Sequence, residues 1–205
     1  MPAGSGNGSA RSGVRVLSHY AAWLVGLTAA ETQTTEAERD CLARHARGRN
    51  RLVEIGVWHG VTTSRLRQVM AGDGCLTAVD PFPIGRLGFS MQERIAHHEV
   101  ERVGNGRVQW VRASGVNAAL LHDPIDFVFI DGDHSEEGLL GDWNAWSSLV
   151  LPGGIVALHD SRSTPERPIA DAGSVKVTNG VVLQDRRFEV IEVVDSLTVL
   201  RRRCE

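Results

Sequence analysis

Apolar residues recur along this chain in two alternating periods. Val16, Leu17, Tyr20, Ala21 and Leu24 are spaced for one face of a helix and predict an N-terminal helix over residues 14–27. Thr34-Thr35-Glu36-Ala37-Glu38 has the form of a capped start, a hydroxyl followed three residues later by an acid. It predicts a second helix running to about residue 45. Short apolar runs at 50–55, 75–79, 108–112, 125–130 and 155–158 predict five strands. Helical stretches at 62–70, 91–103, 116–121 and 138–149 separate them. Residues 81–90 and 162–175 read as loops, and Pro152-Gly153-Gly154 reads as a turn leading into the fifth strand. Two more apolar-rich runs, 188–194 and 197–203, are separated only by Asp195-Ser196, which is hairpin spacing.

Strands that alternate with helices argue for a parallel sheet built with right-handed crossovers. The expected fold class is therefore α/β: a doubly wound, mostly parallel sheet that finishes in an antiparallel hairpin, with accessory helices before it. The Gly/Ser-rich start, MPAGSGNGSARSG, predicts a disordered tail over residues 1–13. Residues 14–47 are then N-terminal helices and 48–205 one domain.

Composition narrows the function classes. Apolar content of 42% and charged content of 23% are ordinary for a globular chain. A net charge of −3 gives no global electrostatic case for nucleic acid. The start lacks the charged-then-apolar order of a secretory signal, and no apolar run approaches the ~20 residues that span a bilayer. Cys41, Cys75 and Cys204 are too widely spaced for a disulfide framework or a paired-cysteine metal site. The expected location is the cytoplasm. The expected partner is a small-molecule acceptor, with a homodimer left open and neither nucleic acid nor membrane foreseen.

The chemistry concentrates where strands end. The fourth strand runs into Asp131, Asp133 and His134, and the fifth into His159-Asp160. In open α/β sheets ligands bind at that edge. The first strand runs into Glu54-Ile55-Gly56-Val57-Trp58-His59-Gly60, whose glycines permit close backbone approach to a ligand at a helix N-terminus. The second ends at Asp80-Pro81, an acid placed to accept ribose hydroxyls. Gly56 and Gly60 do not form the GxGxxG of nicotinamide dehydrogenases.

With these residues in place, the chain resembles the class I S-adenosylmethionine-dependent methyltransferases over about residues 48–203. VEIGVWHGVTT is similar to their first motif, AVDPF to their second, and LPGGIVALHD to the motif after the fourth helix. FIDGDHSEEGLLGDW with LHDS resembles, more narrowly, the small bacterial O-methyltransferases of antibiotic and sugar biosynthesis, relatives of the metal-dependent catechol-type enzymes. The resemblance implies a Rossmann-like sheet of seven strands and S-adenosylmethionine as cofactor. It implies cofactor contacts from Glu54, Gly56, Val57, Gly60, Thr62, Asp80, Pro81, Ala113, Ser114 and Asp131. It also implies Mg²⁺ on Asp131 and Asp160, although Ser161 stands where a third ligand is often Asn. His134 takes the position of the general base; His159 and His59 are the other candidates.

The implied activity is O-methylation of a small-molecule hydroxyl, assisted by Asp131. The rivals are methyl transfer to another acceptor, a nicotinamide oxidoreductase, and a cofactor-binding module without catalysis. Asp133 reads as a cap for the turn into Ser135, Asp142 as a solvated or helix-packing acid, and Trp143 and Trp146 as core. Trp58 reads either as packing under the first turn or as pocket wall.

Overall fold

The computed structural model describes residues 7–85, 87–120 and 122–204. Seven strands, β1 (Arg51–Ile55), β2 (Cys75–Val79), β3 (Arg107–Val111), β4 (Ile125–Ile130), β5 (Val150–Leu158), β6 (Phe188–Val194) and β7 (Leu197–Arg202), form one sheet in the order β3-β2-β1-β4-β5-β7-β6. β1 to β5 run parallel, while β7 is antiparallel to both β5 and β6. Among the described residues, seven α-helices flank the sheet: α1 (Asn7–Leu24), α2 (Glu36–Ala46), α3 (Val61–Val69), α4 (Met91–Glu101), α5 (Gly115–Ala119), α6 (Glu136–Trp146) and α7 (Gly173–Gly180). The seven-stranded, Rossmann-like architecture is the one expected.

Side-chain alternation splits the core into two layers. On β1 and β4, Val53, Ile55, Val128 and Ile130 pack under α6 with Trp143 and Trp146. Leu52, Phe127 and Phe129 point the other way, toward Leu42 of α2 and Leu66 of α3. Trp143 and Trp146 are thus core residues, and the Trp146 indole N–H donates to the Gly115 carbonyl at 3.0 Å.

Four local expectations need correction. Of the tail expected over 1–13, residues 1–6 lie outside the described residues, and α1 takes up the rest from Asn7. Propagation from a formed helix adds one hydrogen bond per residue, so weak helix formers are carried along. Pro152-Gly153-Gly154 is not a turn before β5 but an irregularity within it: Ile125 pairs with Val150 and Phe127 already with Ile155. Residues 173–180, read as loop and its continuation, form α7 (GSVKVTNG), whose β-branched and glycine content hides a helix from propensity. α6 starts at Glu136, ahead of residue 138, because Ser135 caps it by accepting from the Gly138 N–H at 3.0 Å.

β1 and β4 approach closely at their carboxyl ends. The Asp131 N–H donates to Ile55 O at 2.8 Å, and a Cβ on Gly56 would stand 2.0 Å from Asp131 O. Gly56 also has φ +87°, a region that costs other residues ~1–2 kcal/mol. Gly48 has φ +68° with open space around it. Gly48→Ala is expected to lower unfolding free energy by ~1 kcal/mol through backbone strain alone. Gly56→Ala should lower it by ~3 kcal/mol or more, because β1 and β4 must also separate. Urea unfolding of both variants checks the contrast.

Candidate functional site

The sheet order reverses direction between β1 and β4, and the crevice outside their carboxyl ends is where such sheets bind ligands. There the structure opens a cavity of about 640 Å³, a volume suited to a nucleoside-sized ligand. Its wall includes Gly56, Val57, Thr62, Asp80, Pro81, Ala113, Ser114, Asp131 and His134 of the residues expected at the site. Asp80 organises the wall. Its Oδ2 accepts the Val57 and Trp58 N–H groups at 3.0 and 3.2 Å, and its Oδ1 accepts the Phe82 N–H at 2.7 Å. Trp58, at φ +53°, is half-exposed on the cavity wall.

Five expected site residues, Glu54, His59, Gly60, His159 and Asp160, do not line the cavity. Glu54 shares a sheet face with Leu52, which points it at the α2/α3 layer; it is buried and neither carboxylate oxygen has a hydrogen-bond partner. Burial, reinforced by the Asp131 and Asp80 charges, holds its pKa well above the carboxylate range. Gly60 caps α3 with φ +76°, and a Cβ there would meet Ala96 Cα of α4 at 2.9 Å. The absence of a Cβ there lets α3 and α4 pack closely. His159 and Asp160 lie beneath the surface, at 2% and 5% exposure.

Residues that the motifs did not single out complete the wall. Thr32 and Gln33 come from the segment between α1 and α2. That segment is pinned where the Glu31 N–H donates to His59 Nδ1 at 3.0 Å. Burial and the stacked His19 ring hold His59 down at about 4, so His59 is a neutral clasp for the segment, not a base facing the cavity. Asp142, expected to be solvated or to pack between helices, is a buried wall residue. Burial and then Asp133 raise its pKa to about 6. Asp133 caps its own turn, Oδ1 accepting the Ser135 N–H at 2.9 Å.

Below the cavity floor lies a cluster of charges centred on His159. Its Nδ1 is 2.8 Å from Asp131 Oδ1 and 3.8 Å from Asp160 Oδ1, and its Nε2 is 3.4 Å from Glu38 Oε2. Burial pulls the His159 pKa down, but the three carboxylates outweigh it and push it up to about 10. Glu38 is opposed by burial too, yet His159, the Thr35 N–H and Ser196 hold it at about 2. Its Oε1 accepts from the Ser196 N–H and hydroxyl at 3.0 and 2.7 Å. His159 is therefore an imidazolium that holds Asp131 in place, and it is unsuited to the role of base. His134 is the histidine that reaches the cavity. Its side chain is 39% exposed, with Nε2 3.5 Å from Asp131 Oδ1 and Nδ1 3.9 Å from Asp160 Oδ2.

The divalent-ion site implied by resemblance does not fit these donors. Asp160 is ion-paired with the Arg167 guanidinium through both carboxylate oxygens. Asp131 does stand with the His134 and His159 rings, one donor atom of each within 4.8 Å of the others, but Asp160 is not part of that set. The Ser161 hydroxyl is already engaged, donating to Ser196 O at 2.8 Å and lying 2.7 Å from the Thr198 hydroxyl.

Against known proteins, a family model described as a methyltransferase domain matches residues 53–161. Among solved structures, the chain is similar to the O-methyltransferase TomG of Streptomyces achromogenes, involved in tomaymycin synthesis and solved with SAM. The TM-score is 0.63 at 17% identity over 92% of this chain and 90% of that one. An O-methyltransferase from Bacillus cereus, solved with SAH, gives 0.62 at 17% identity over 98% and 93%. A putative rRNA-methylase from Clostridium thermocellum gives 0.59 at 14% identity over 83% and 100%.

The charge cluster predicts a stability window. Glu38 stabilises the fold above its unfolded value of 4.5 and loses that contribution as pH falls through about 2. His159 contributes fully below its unfolded value of 6.5 and loses its contribution as pH rises through about 10. The difference in Tm between wild type and Glu38→Gln should therefore be largest near pH 4.5–6.5 and shrink on both sides. Thermal melts from pH 3 to 10 check it; a difference that grows steadily toward pH 10 contradicts the assignment of His159 as imidazolium.

Proposed function

The chain belongs to the methyltransferase domain family, and from that premise we propose that it transfers the methyl group of S-adenosylmethionine to a hydroxyl of a small molecule, with His134 as general base. The carrying observation is the placement of His134: it stands on the cavity wall, 3.5 Å from Asp131. The cofactor, when bound, supplies a methyl group on a sulfonium that is open to in-line displacement.

The protein's own groups divide the remaining work. The Gly56–Val57 backbone floors the cavity beside the Ile55–Asp131 contact. Asp80 accepts three backbone N–H groups yet retains lone pairs for ribose hydroxyls, since a carboxylate offers about four acceptor sites. Ser114, the N-cap of α5, and Asp142 line the cavity on the far side of Gly115. Glu54, although its motif position implies cofactor contact, supports the turn from beneath. Asp131 is clamped by His159 and in turn holds His134, fixing the base relative to the cavity. Such positioning matters because methyl transfer needs nucleophile and carbon at ~3 Å and collinear. His134 takes the acceptor proton as the oxygen attacks.

The wall also bears on the acceptor class. It carries the acids Glu31, Asp80, Asp131, Asp133, Glu137 and Asp142, and among the described residues that line it there is no lysine or arginine. An acidic mouth repels a phosphate backbone, which proteins meet with Lys and Arg. This favours a neutral or cationic small molecule over an RNA of the kind that the name of the Clostridium thermocellum rRNA-methylase indicates for that protein.

Calorimetric titration with S-adenosylhomocysteine should give micromolar affinity, with none for NAD. Asp80→Ala should weaken that affinity at least tenfold. His134→Ala should keep it, while methyl transfer from labelled S-adenosylmethionine to a panel of phenols and sugars falls ~10²–10⁴-fold. Absence of S-adenosylhomocysteine binding would refute the cofactor assignment. Undiminished transfer by His134→Ala would remove that residue as base.

A further inference from the structure

The residue that displaces the implied metal ion is itself held in a constructed setting. Arg167 lies in the loop between β5 and α7, and the loop folds around its backbone. The Arg167 carbonyl accepts the Thr164 and Ile169 N–H groups, each at 3.0 Å, and its own N–H donates to Thr164 Oγ1 at 3.0 Å. Ser163 Oγ accepts from the Ile169 N–H at 3.0 Å, closing the loop a second time. From this base the guanidinium pairs with both oxygens of Asp160, and Nη2 also lies 3.4 Å from Gln33 Oε1 on the cavity wall. Asp160 is fixed from its own side as well: its carbonyl accepts the Ser174 hydroxyl at 2.7 Å, and its backbone is held at φ +48°.

The surrounding charges are matched to a cation of this kind. Asp160 faces a side chain that carries its charge without titrating, the Arg167 guanidinium, while Glu38 and Asp131 turn to the His159 ring. A divalent ion added at Asp160 would sit against this guanidinium, and like charges at such distances repel strongly where water is excluded. Guanidinium is also the cation whose planar fork matches a carboxylate, and it stays charged at every physiological pH.

We propose that Arg167 supplies, as part of the chain, the positive charge that the resemblance assigns to a divalent ion at Asp160, so that Asp160 binds no metal in this protein. Resting on the reading of this cavity as a methyl-transfer site, the inference names its electrostatics: a tethered monovalent cation, with acceptor deprotonation left to His134. It also identifies Arg167 as a positioning residue, since it holds Asp160 and reaches Gln33 without itself lining the cavity.

Electron paramagnetic resonance with Mn²⁺ alone tests the proposal on the full-length protein after dialysis against chelator. The wild type is expected to leave Mn²⁺ free, as is Arg167→Lys. Arg167→Ala should gain at least tenfold in Mn²⁺ affinity, and the gain should vanish in the Arg167→Ala, Asp160→Asn double variant. A wild-type Mn²⁺ site that Asp160→Asn abolishes would overturn the proposal, and so would an Arg167→Ala protein that melts cooperatively yet gains no ion. The wild-type result stands even if Arg167→Ala does not fold. Because the signal is read without cofactor, a failure of S-adenosylhomocysteine to bind would refute the methyl-transfer reading and leave the metal result legible.

Discussion

A buried imidazolium holds this active face together. His159 sits at the end of β5 with Asp131, Asp160 and Glu38 around it, and each belongs to a different part of the fold or a different side of the ring. Burying any one of these charges alone would be prohibitive. Together they are tolerable because each carboxylate has the imidazolium or another donor within reach. Removing one partner from such a cluster leaves an uncompensated charge, at a cost of about 3–5 kcal/mol. The cluster therefore constrains everything attached to it: the carboxyl ends of β4 and β5, the start of α2 and the β6–β7 hairpin.

The attachments explain how distant segments come to serve one cavity. Glu38 belongs to the capping box of α2, with Thr35 N–H donating to its Oε2 at 2.8 Å, and it also receives the hairpin residue Ser196. The same acid thus ends a helix, fixes a turn and balances His159. α7 adds a second clip. The Ser174 N–H donates to His134 O at 2.9 Å while its hydroxyl reaches Asp160 O, and a Cβ on Gly173 would stand 2.2 Å from Glu136 N. His134 is consequently held by its backbone from α7 and faced by Asp131 at its ring.

Charge on the two sides of the floor is arranged differently. The cavity side is acidic, which suits a cationic cofactor and a neutral or cationic acceptor. The buried side is nearly balanced, its acids paired with His159 and Arg167. Glu54 is the exception, an acid without an ion-pair partner among the described residues, whose pKa burial raises well above the carboxylate range.

Much of this protein was legible in its sequence. Apolar periodicity marked every strand, the Asp195-Ser196 spacing announced the hairpin, and the Thr35/Glu38 capping box was readable as such, because these depend on residues near one another in the chain. The motif residues Gly56, Asp80, Ser114, Asp131 and His134 do meet at one cavity, since strand ends in a parallel sheet converge on one edge. Other roles were open until the chain folded. Glu54 reads as a cofactor acid, but strand alternation turns it to the opposite layer. Gly60 reads as a ligand glycine, but α4 fills the space a Cβ would need. Asp160 reads as a metal ligand and His159 as a base, but Arg167 and Glu38 claim them. Glu38 meets Ser196 across 158 residues of sequence. Periodicity and caps are local and determine elements and their order. The protonation and occupancy of a side chain depend on whichever charges tertiary packing brings alongside it, and only the fold decides those.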